Sequence, residues 1–448
     1  MLGEKRVKEL TDGILARSTA DQTEVVVLAG DEYLTRFANS AIHQNVGESD
    51  VRISLRIFLG PREGAAATNR LDDDSLDELV NRATASARVS PENPDFPGLR
   101  GPATYEVVRS FDEITAEYAP EERAKAVRAV CDLAKSKGLN AFGAFTTGVT
   151  ELALANTEGM FAYHAATNAD FQTVVMEPDG PASGWANQSG WKVAEIPAAA
   201  LGAEAILKTE LGRDPQVPKP GEYTVVLDPY AVQDLVMMLN MTGMGANTIQ
   251  EGRSWMNGRI GEQVFSPSIN IWDDGLDPGS VPMPFDFEGT PKQRVEIIKD
   301  GVVIGPVYDR TTAKKENRDS TGHGLPPGVR NYSPLATHLF VAPGDTTVEE
   351  MIASTGRGIY ITRFHYTRPV HPANCVITGM TRDGAYWIED GKIQQPLKNL
   401  RFTQSYVEAL GSVEAVGKET QLLTMMGLVA IRVPAIKLKK FNFTGVTV

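Results

Sequence analysis

The chain has 448 residues, 42% hydrophobic and 23% charged, the balance of a globular protein too long for a single core. Acidic residues outnumber basic ones 57 to 44 for a formal charge of −13, which argues against a general phosphate-binding surface and against nucleic acid as a direct partner, while leaving room for a local basic patch. No run reaches the ~18 consecutive apolar residues of a membrane-spanning helix, so no membrane partner is expected.

The opening stretch, Met1-Leu2-Gly3-Glu4-Lys5-Arg6, turns charged before any apolar run. No signal peptide is expected, and the expected compartment is the cytoplasm. Leu2, Val7, Leu10, Ile14 and Leu15 then recur at helical spacing. Alternating runs at Glu24–Leu28, Tyr33–Phe37 and Val51–Phe58 predict strands of a meander. Asp74 or Ser75 can cap the next helix, whose stripe is Leu76, Leu79, Val80 and Ala83. Pro94, Pro97 and Pro102 mark a linker.

A second round follows. Pro120 sits at a helix start and Gly138 at its end. Cys131, in that helix, and Cys375 are the only cysteines; two distant thiols read as buried and reduced. Strands are predicted at Ala141–Thr147, Glu151–Ala155, Met160–His164 and Phe171–Met176, then a helix around Ile196–Leu211. Asn39 with Asn69 in the first round and Asn156 with Asn187 in the second suggest an internal duplication; two unrelated meanders with Asn turns are the alternative.

Pro215, Pro218 and Pro220 form the clearest linker. Beyond it Tyr223–Leu227 reads as a strand, and Asp228 or Pro229 opens a helix to about Met241. Asp300-Gly301 and Asp390-Gly391 are two-residue hairpin signals. Thr346 or Thr347 starts a short helix, and the tail alternates through Val429–Val433 and Ile436–Phe443. The expected class is α+β: mostly antiparallel sheets with flanking helices, a duplicated N-terminal half and a strand-rich C-terminal domain. The expected domains are 1–100, 101–218 and 219–448.

Three elements beyond the second linker carry a family resemblance: Gly258-Arg259-Ile260-Gly261-Glu262, the segment Gly384-Ala385-Tyr386-Trp387-Ile388-Glu389-Asp390-Gly391, and Gly417-Lys418-Glu419. With Asp273-Asp274-Gly275 and the strand-rich first half, they resemble the TldD/PmbA family, the "modulators of DNA gyrase", over nearly the whole chain. In that family's protease branch a His-Glu-x-x-x-His motif binds zinc, its glutamate activating the bound water. Counting back from Gly258 places the histidines on Met237 and Thr242 and the glutamate on Met238. The third ligand, a cysteine before the final Gly-Lys-Glu, falls on Val416, and residues 165–322 contain no histidine to recover a shifted register. The resemblance therefore implies a non-catalytic, PmbA/TldE-type member.

It further implies a hetero-oligomer, in which a TldD-type catalytic subunit carries the zinc and small unfolded peptides are the substrates. No cofactor is expected in this chain. The rivals are a homodimeric peptide-binding protein with no protease partner, and an autonomous metallopeptidase using His365, His371 and Cys375, which are metal-ligating by type but separated by Pro369 and Pro372.

Arg363, His365 and Arg382 are the candidate substrate-binding residues, as donors to peptide carbonyls and carboxylates. Arg382-Asp383-Gly384 also reads as a tight turn with an internal ion pair. Gly322-His323-Gly324 with Pro326-Pro327-Gly328 reads as a flexible loop. Met237, Met238, Met241 and Met244 are either a core helix or a peptide-contacting wall.

Overall fold

The computed structural model describes residues 1–425 and 427–446. Its class is α+β. Helix α1 (Glu4–Arg17) buries Val7, Thr11 and Ile14 and is followed by β1 (Gln22–Ala38), β2 (Ala41–Leu59), β3 (Arg62–Thr68) and α2 (Asp73–Val89). The two short strands expected before Asn39 are one long strand. Gly30 stays extended there because the neighbouring backbone is so close that a Cβ would lie 2.6 Å from the Val149 carbonyl oxygen. Asn39 and Ser40, at φ 49° and 56°, make the two-residue turn that matches strand twist. Helix α2 is capped upstream of Asp74 and Ser75: Asp72 accepts from the Ser75 backbone N–H at 3.0 Å.

The second round repeats this order: α3 (Glu113–Ala116), α4 (Pro120–Ser136), β4 (Asn140–Asn156), β5 (Phe161–Met176), β6 (Ser183–Gly190) and α5 (Ala198–Leu211). Its strands also merge across the expected gaps. The strand order β3-β2-β1-β4-β5-β6 joins the two meanders along β1 and β4 into a single antiparallel sheet. Helices α4 and α5 cover one half around Val127, Phe145 and Phe171, and α1 and α2 cover the other around Val25, Ile53 and Leu79. The turn-like asparagines differ in place. Asn69 follows β3, whereas Asn187 lies within β6 and donates to Asp170 and to the Phe171 carbonyl.

The C-terminal half begins with β7 (Gly221–Leu227), α6 (Pro229–Leu239), a π-helical turn at Asn240–Met244 and α7 (Ala246–Gln250). It continues with β8 (Ile271–Asp273), β9 (Val295–Lys299), β10 (Val302–Val303), α8 (Arg310–Lys315), β11 (His338–Val341) and α9 (Val348–Ala353). Last come β12 (Arg357–His371), β13 (Val376–Glu389), β14 (Lys392–Pro396), β15 (Leu400–Ser405), α10 (Tyr406–Gly411), β16 (Val413–Met425) and β17 (Val429–Val446). Both Asp-Gly hairpins form, with positive φ at each turn residue, and Thr347 caps α9 in a capping box. The ladder β17-β15-β13-β12-β7 closes on itself, because β7 also pairs with β17. Helix α6 packs on this ring through β7, β12 and β17 and is buried on nearly all sides, which makes it a core helix.

Two loop expectations are overturned. Arg382-Asp383-Gly384 is an irregularity inside β13, with φ 57° at Asp383 and 141° at Gly384, where the ladder to β12 shifts register. The stretch around His323 is a packed element: the imidazole Nε2 meets Asp273 Oδ1 at 2.8 Å, and neither side chain is exposed to solvent. Lys292 Nζ stands 3.7 Å from the same Asp273 oxygen, and these charges hold its carboxyl far below the usual range against burial. No helix of the described residues is long and apolar enough to cross a membrane.

Candidate functional site

Tyr230, Gln233 and Asp234 stand at helical spacing on one face of α6. On β12, Arg363 and His365 share one face of the strand, and a bulge at Tyr366 (φ 54°) shifts the register and brings the Thr367 hydroxyl to Asp234. With Asp170 and Gln172 of β5, Trp185 and Asn187 of β6 and Thr424 and Met425 of β16, they line a cavity of about 420 Å³ between the six-stranded sheet and the C-terminal half. The cavity is polar and carries both signs of charge.

Asp234 accepts from the Thr367 hydroxyl at 2.6 Å and the Tyr406 hydroxyl at 2.8 Å, and among the described residues no cation is bonded to it. Burial outweighs these bonds and pushes its carboxyl up to about 6. Burial likewise raises Asp170, which accepts from the Ser189 hydroxyl at 2.6 Å and the Asn187 amide at 3.0 Å. Arg363 pairs with Asp383 and lies 4.6 Å from the Trp185 ring centroid. Burial, then the charges of Arg363 and Arg382, hold His365 below the ordinary imidazole value, so it is neutral at pH 7. Gln233, 7% exposed, keeps Nε2 buried with no hydrogen-bond partner among the described residues, a donor left for a bound acceptor. The set can hold backbone amides and carbonyls of an extended ligand.

Of the three candidate binding residues, Arg363 and His365 line this cavity. Arg382 does not. It is the ladder partner of Arg363, its side chain is 44% exposed, and its Nε lies 3.9 Å from Asp383 Oδ1. The rival ligand set His365, His371 and Cys375 is dispersed: His371 is exposed at the end of β12, while Cys375 is fully buried beside Thr242 and its thiol is pushed up to about 12 by burial. Among the described residues no three His, Cys, Asp or Glu side chains gather where they could hold a metal.

The positions matched to the zinc motif lie just beyond the cavity, Met237 and Met238 on α6 and Thr242 in the π-helical turn that follows. Met237, Met238, Thr242 and Val416 are between 1% and 8% exposed. The Thr242 hydroxyl donates to the Met238 carbonyl at 2.6 Å, and β16, which carries Val416, packs against α6. Two thioethers, a committed hydroxyl and an isopropyl group offer zinc no imidazole, thiolate or carboxylate, so these residues do not fit the metal. Met244 is buried as well, whereas Met241 is 42% exposed. The methionine cluster is therefore mainly core.

Gln233 and Asp234 were not among the sequence candidates. Their signal was available: they are the only polar pair inside the apolar run Tyr230–Leu239. Asp170, Trp185 and Asn187 carried none, because long-range sheet packing brings them to α6.

Family comparison adds two matches: the "PmbA/TldA metallopeptidase C-terminal domain" over residues 220–445 and the "PmbA/TldA metallopeptidase domain 1" over residues 23–87. A "Metalloprotease TldD homolog" of Haemophilus influenzae is 27% identical over 214 residues, 45% of this chain and 44% of that protein. The chain thus spans less than half the length of that relative. "Metalloprotease PmbA" of Escherichia coli O157:H7 is 22% identical over 443 residues, covering 95% of this chain and 93% of that one. The crystal structure of TldE from Thermococcus kodakarensis superposes with a TM-score of 0.88 at 19% identity, over 98% of this chain and all of that one, a likeness of fold.

Proposed function

Because the chain belongs to the TldD/PmbA metallopeptidase family, we propose that it is the non-catalytic subunit of a peptidase complex, holding small unfolded peptides for a zinc-bearing TldD-type partner. One observation carries this reading: all four positions matched to the ligands and base hold Met237, Met238, Thr242 and Val416, packed into the core. An autonomous metallopeptidase would need donors that these residues do not supply.

In this proposal the cavity lined by Arg363, His365, Gln233 and Asp234 receives the peptide main chain. Residues of 101–218 form one wall through β5 and β6, and residues of 219–448 form the other. Arg382 acts at the margin, through its charge on His365. Main-chain recognition suits substrates of varied sequence, because every peptide presents the same amides. Two free, buried cysteines suit a cytoplasmic setting.

The test is co-expression with a family member that carries His-Glu-x-x-x-His, followed by cleavage of an unfolded peptide. The expected result is a hetero-oligomer that cleaves peptides while this chain alone does not. A stable homodimer that never associates with such a partner would favour the stand-alone binding protein.

A further inference from the structure

A second cavity, of about 680 Å³, lies where the segment Pro97–Arg100 crosses the C-terminal half. Its lining carries Arg100, Lys292, Arg310, Lys314 and Arg318 against a single carboxylate, Asp319. This inverts the acidic balance of the chain as a whole.

Three of the cations are engaged. Lys292 stands 3.7 Å from Asp273, Arg318 stands 3.5 Å from Glu316, and Lys314 donates to the Phe96 carbonyl at 2.7 Å. The other two lack a bonded carboxylate among the described residues. Arg310 donates only to the Gly98 carbonyl, at 2.7 Å; Glu288 is its nearest acid, and it accepts from the Arg310 backbone N–H at 2.9 Å. Arg100 keeps Nε buried with no hydrogen-bond partner, and its charge is felt by Arg310 as a like charge. Thr290, 4% exposed, lines the same cavity, and its hydroxyl is also buried without a partner. Buried donors are normally satisfied, so two orphaned donors, Arg100 Nε and the Thr290 hydroxyl, in a lining of five cations and one carboxylate describe a site built for an acceptor-rich anion.

We propose that this cavity binds a small phosphate-bearing molecule, held between Arg100 of the linker and Arg310 of α8, with the Thr290 hydroxyl donating to a further phosphate oxygen. Phosphate fits better than a monocarboxylate. A dianion balances both guanidiniums, and its oxygens accept from their forks and from the hydroxyl together. The volume lies in the range of ordinary ligand sites and leaves room for an organic group on the phosphate. The ligand would tie the linker to the C-terminal half. The inference is independent of the peptide-cavity reading.

Calorimetric titration of the full chain with inorganic phosphate and with pyrophosphate tests it, with chloride used to keep ionic strength constant. Saturable one-site binding is expected, weakened at least about tenfold in Arg100→Gln, the loss of one charge-assisted hydrogen bond, and measurably in Thr290→Val. Should Arg100→Gln fail to fold, Thr290→Val, which keeps shape and volume, carries the comparison. No saturable binding of either anion, unchanged affinity in the folded variants, or binding of citrate with phosphate silent would overturn the proposal.

Discussion

The hydroxyl of Thr242 donates to the carbonyl oxygen of Met238 at 2.6 Å, inside the turn where the protease branch of the family would present its second histidine and its glutamate. Position 242 thus faces its own helix backbone, and the buried Cys375 thiol lies beside it. The same helix, one turn earlier, opens Gln233 and Asp234 to the cavity. One element therefore contributes a filled core at one end and a polar wall at the other.

That division makes the methionines separable. Met237→Ala should destabilise by about 2–5 kcal/mol, the cost of a large-to-small change in a packed core. Met241→Ala should stay within ~0.5 kcal/mol, because its side chain is exposed. Urea unfolding of both variants checks this. Equal effects would mean that the helix is not packed as described.

Asp234 sets a pH signature. Its carboxyl stands at about 6 in the fold, against 3.8 for an ordinary aspartate. Folding therefore favours the protonated form. The contribution is fully present below the unfolded value and is lost as pH rises through about 6, a swing of about 3 kcal/mol. Asp234→Asn should remove that swing, so the stability difference between variant and parent should grow from pH 4 to pH 7. A difference that does not change with pH would refute the assignment.

The two cavity residues of β12 should behave differently on truncation. His365→Ala should alter stability within ~0.5 kcal/mol, since His365 makes no ion pair among the described residues. Arg363→Ala leaves the buried Asp383 with the Ser183 hydroxyl and a distant Arg382, and should cost about 1.5–3 kcal/mol. The carboxylate inside the β13 irregularity is what separates them. Both should slow peptide cleavage by a reconstituted complex, where lost contacts loosen the bound geometry.

Asp273→Asn should cost about 3–5 kcal/mol, because it leaves Lys292 buried without its counter-charge. Chemical unfolding reads this directly, and a loss below ~1 kcal/mol would contradict the buried cluster.

Local rules made much of the fold legible. Asp300-Gly301 and Asp390-Gly391 form their hairpins, Pro120 and Gly138 bound their helix, and Thr347 caps α9, because each rests on the conformational preference of one or two residues. Strand lengths were not legible. Gly30-Asp31-Glu32 resembles a turn until β2 and β4 are known to pair on both sides. His323 between two glycines resembles an open loop, and only Asp273, fifty residues upstream, makes it a buried one. The cavity divides the same way: Arg363 and His365 stood out as a dense cationic segment, while Asp170 and Trp185 reach it only through packing between the two halves.

The central claim is that this chain positions peptides and a partner supplies the metal. Its most direct measurement is zinc content and peptide cleavage, recorded together for this chain alone, for a His-Glu-x-x-x-His homologue alone, and for their complex. The expected result is no stoichiometric zinc and no cleavage for this chain, with zinc residing in the homologue and cleavage highest in the complex. About one tightly held zinc per chain here, with peptide cleavage by the isolated protein, would contradict it.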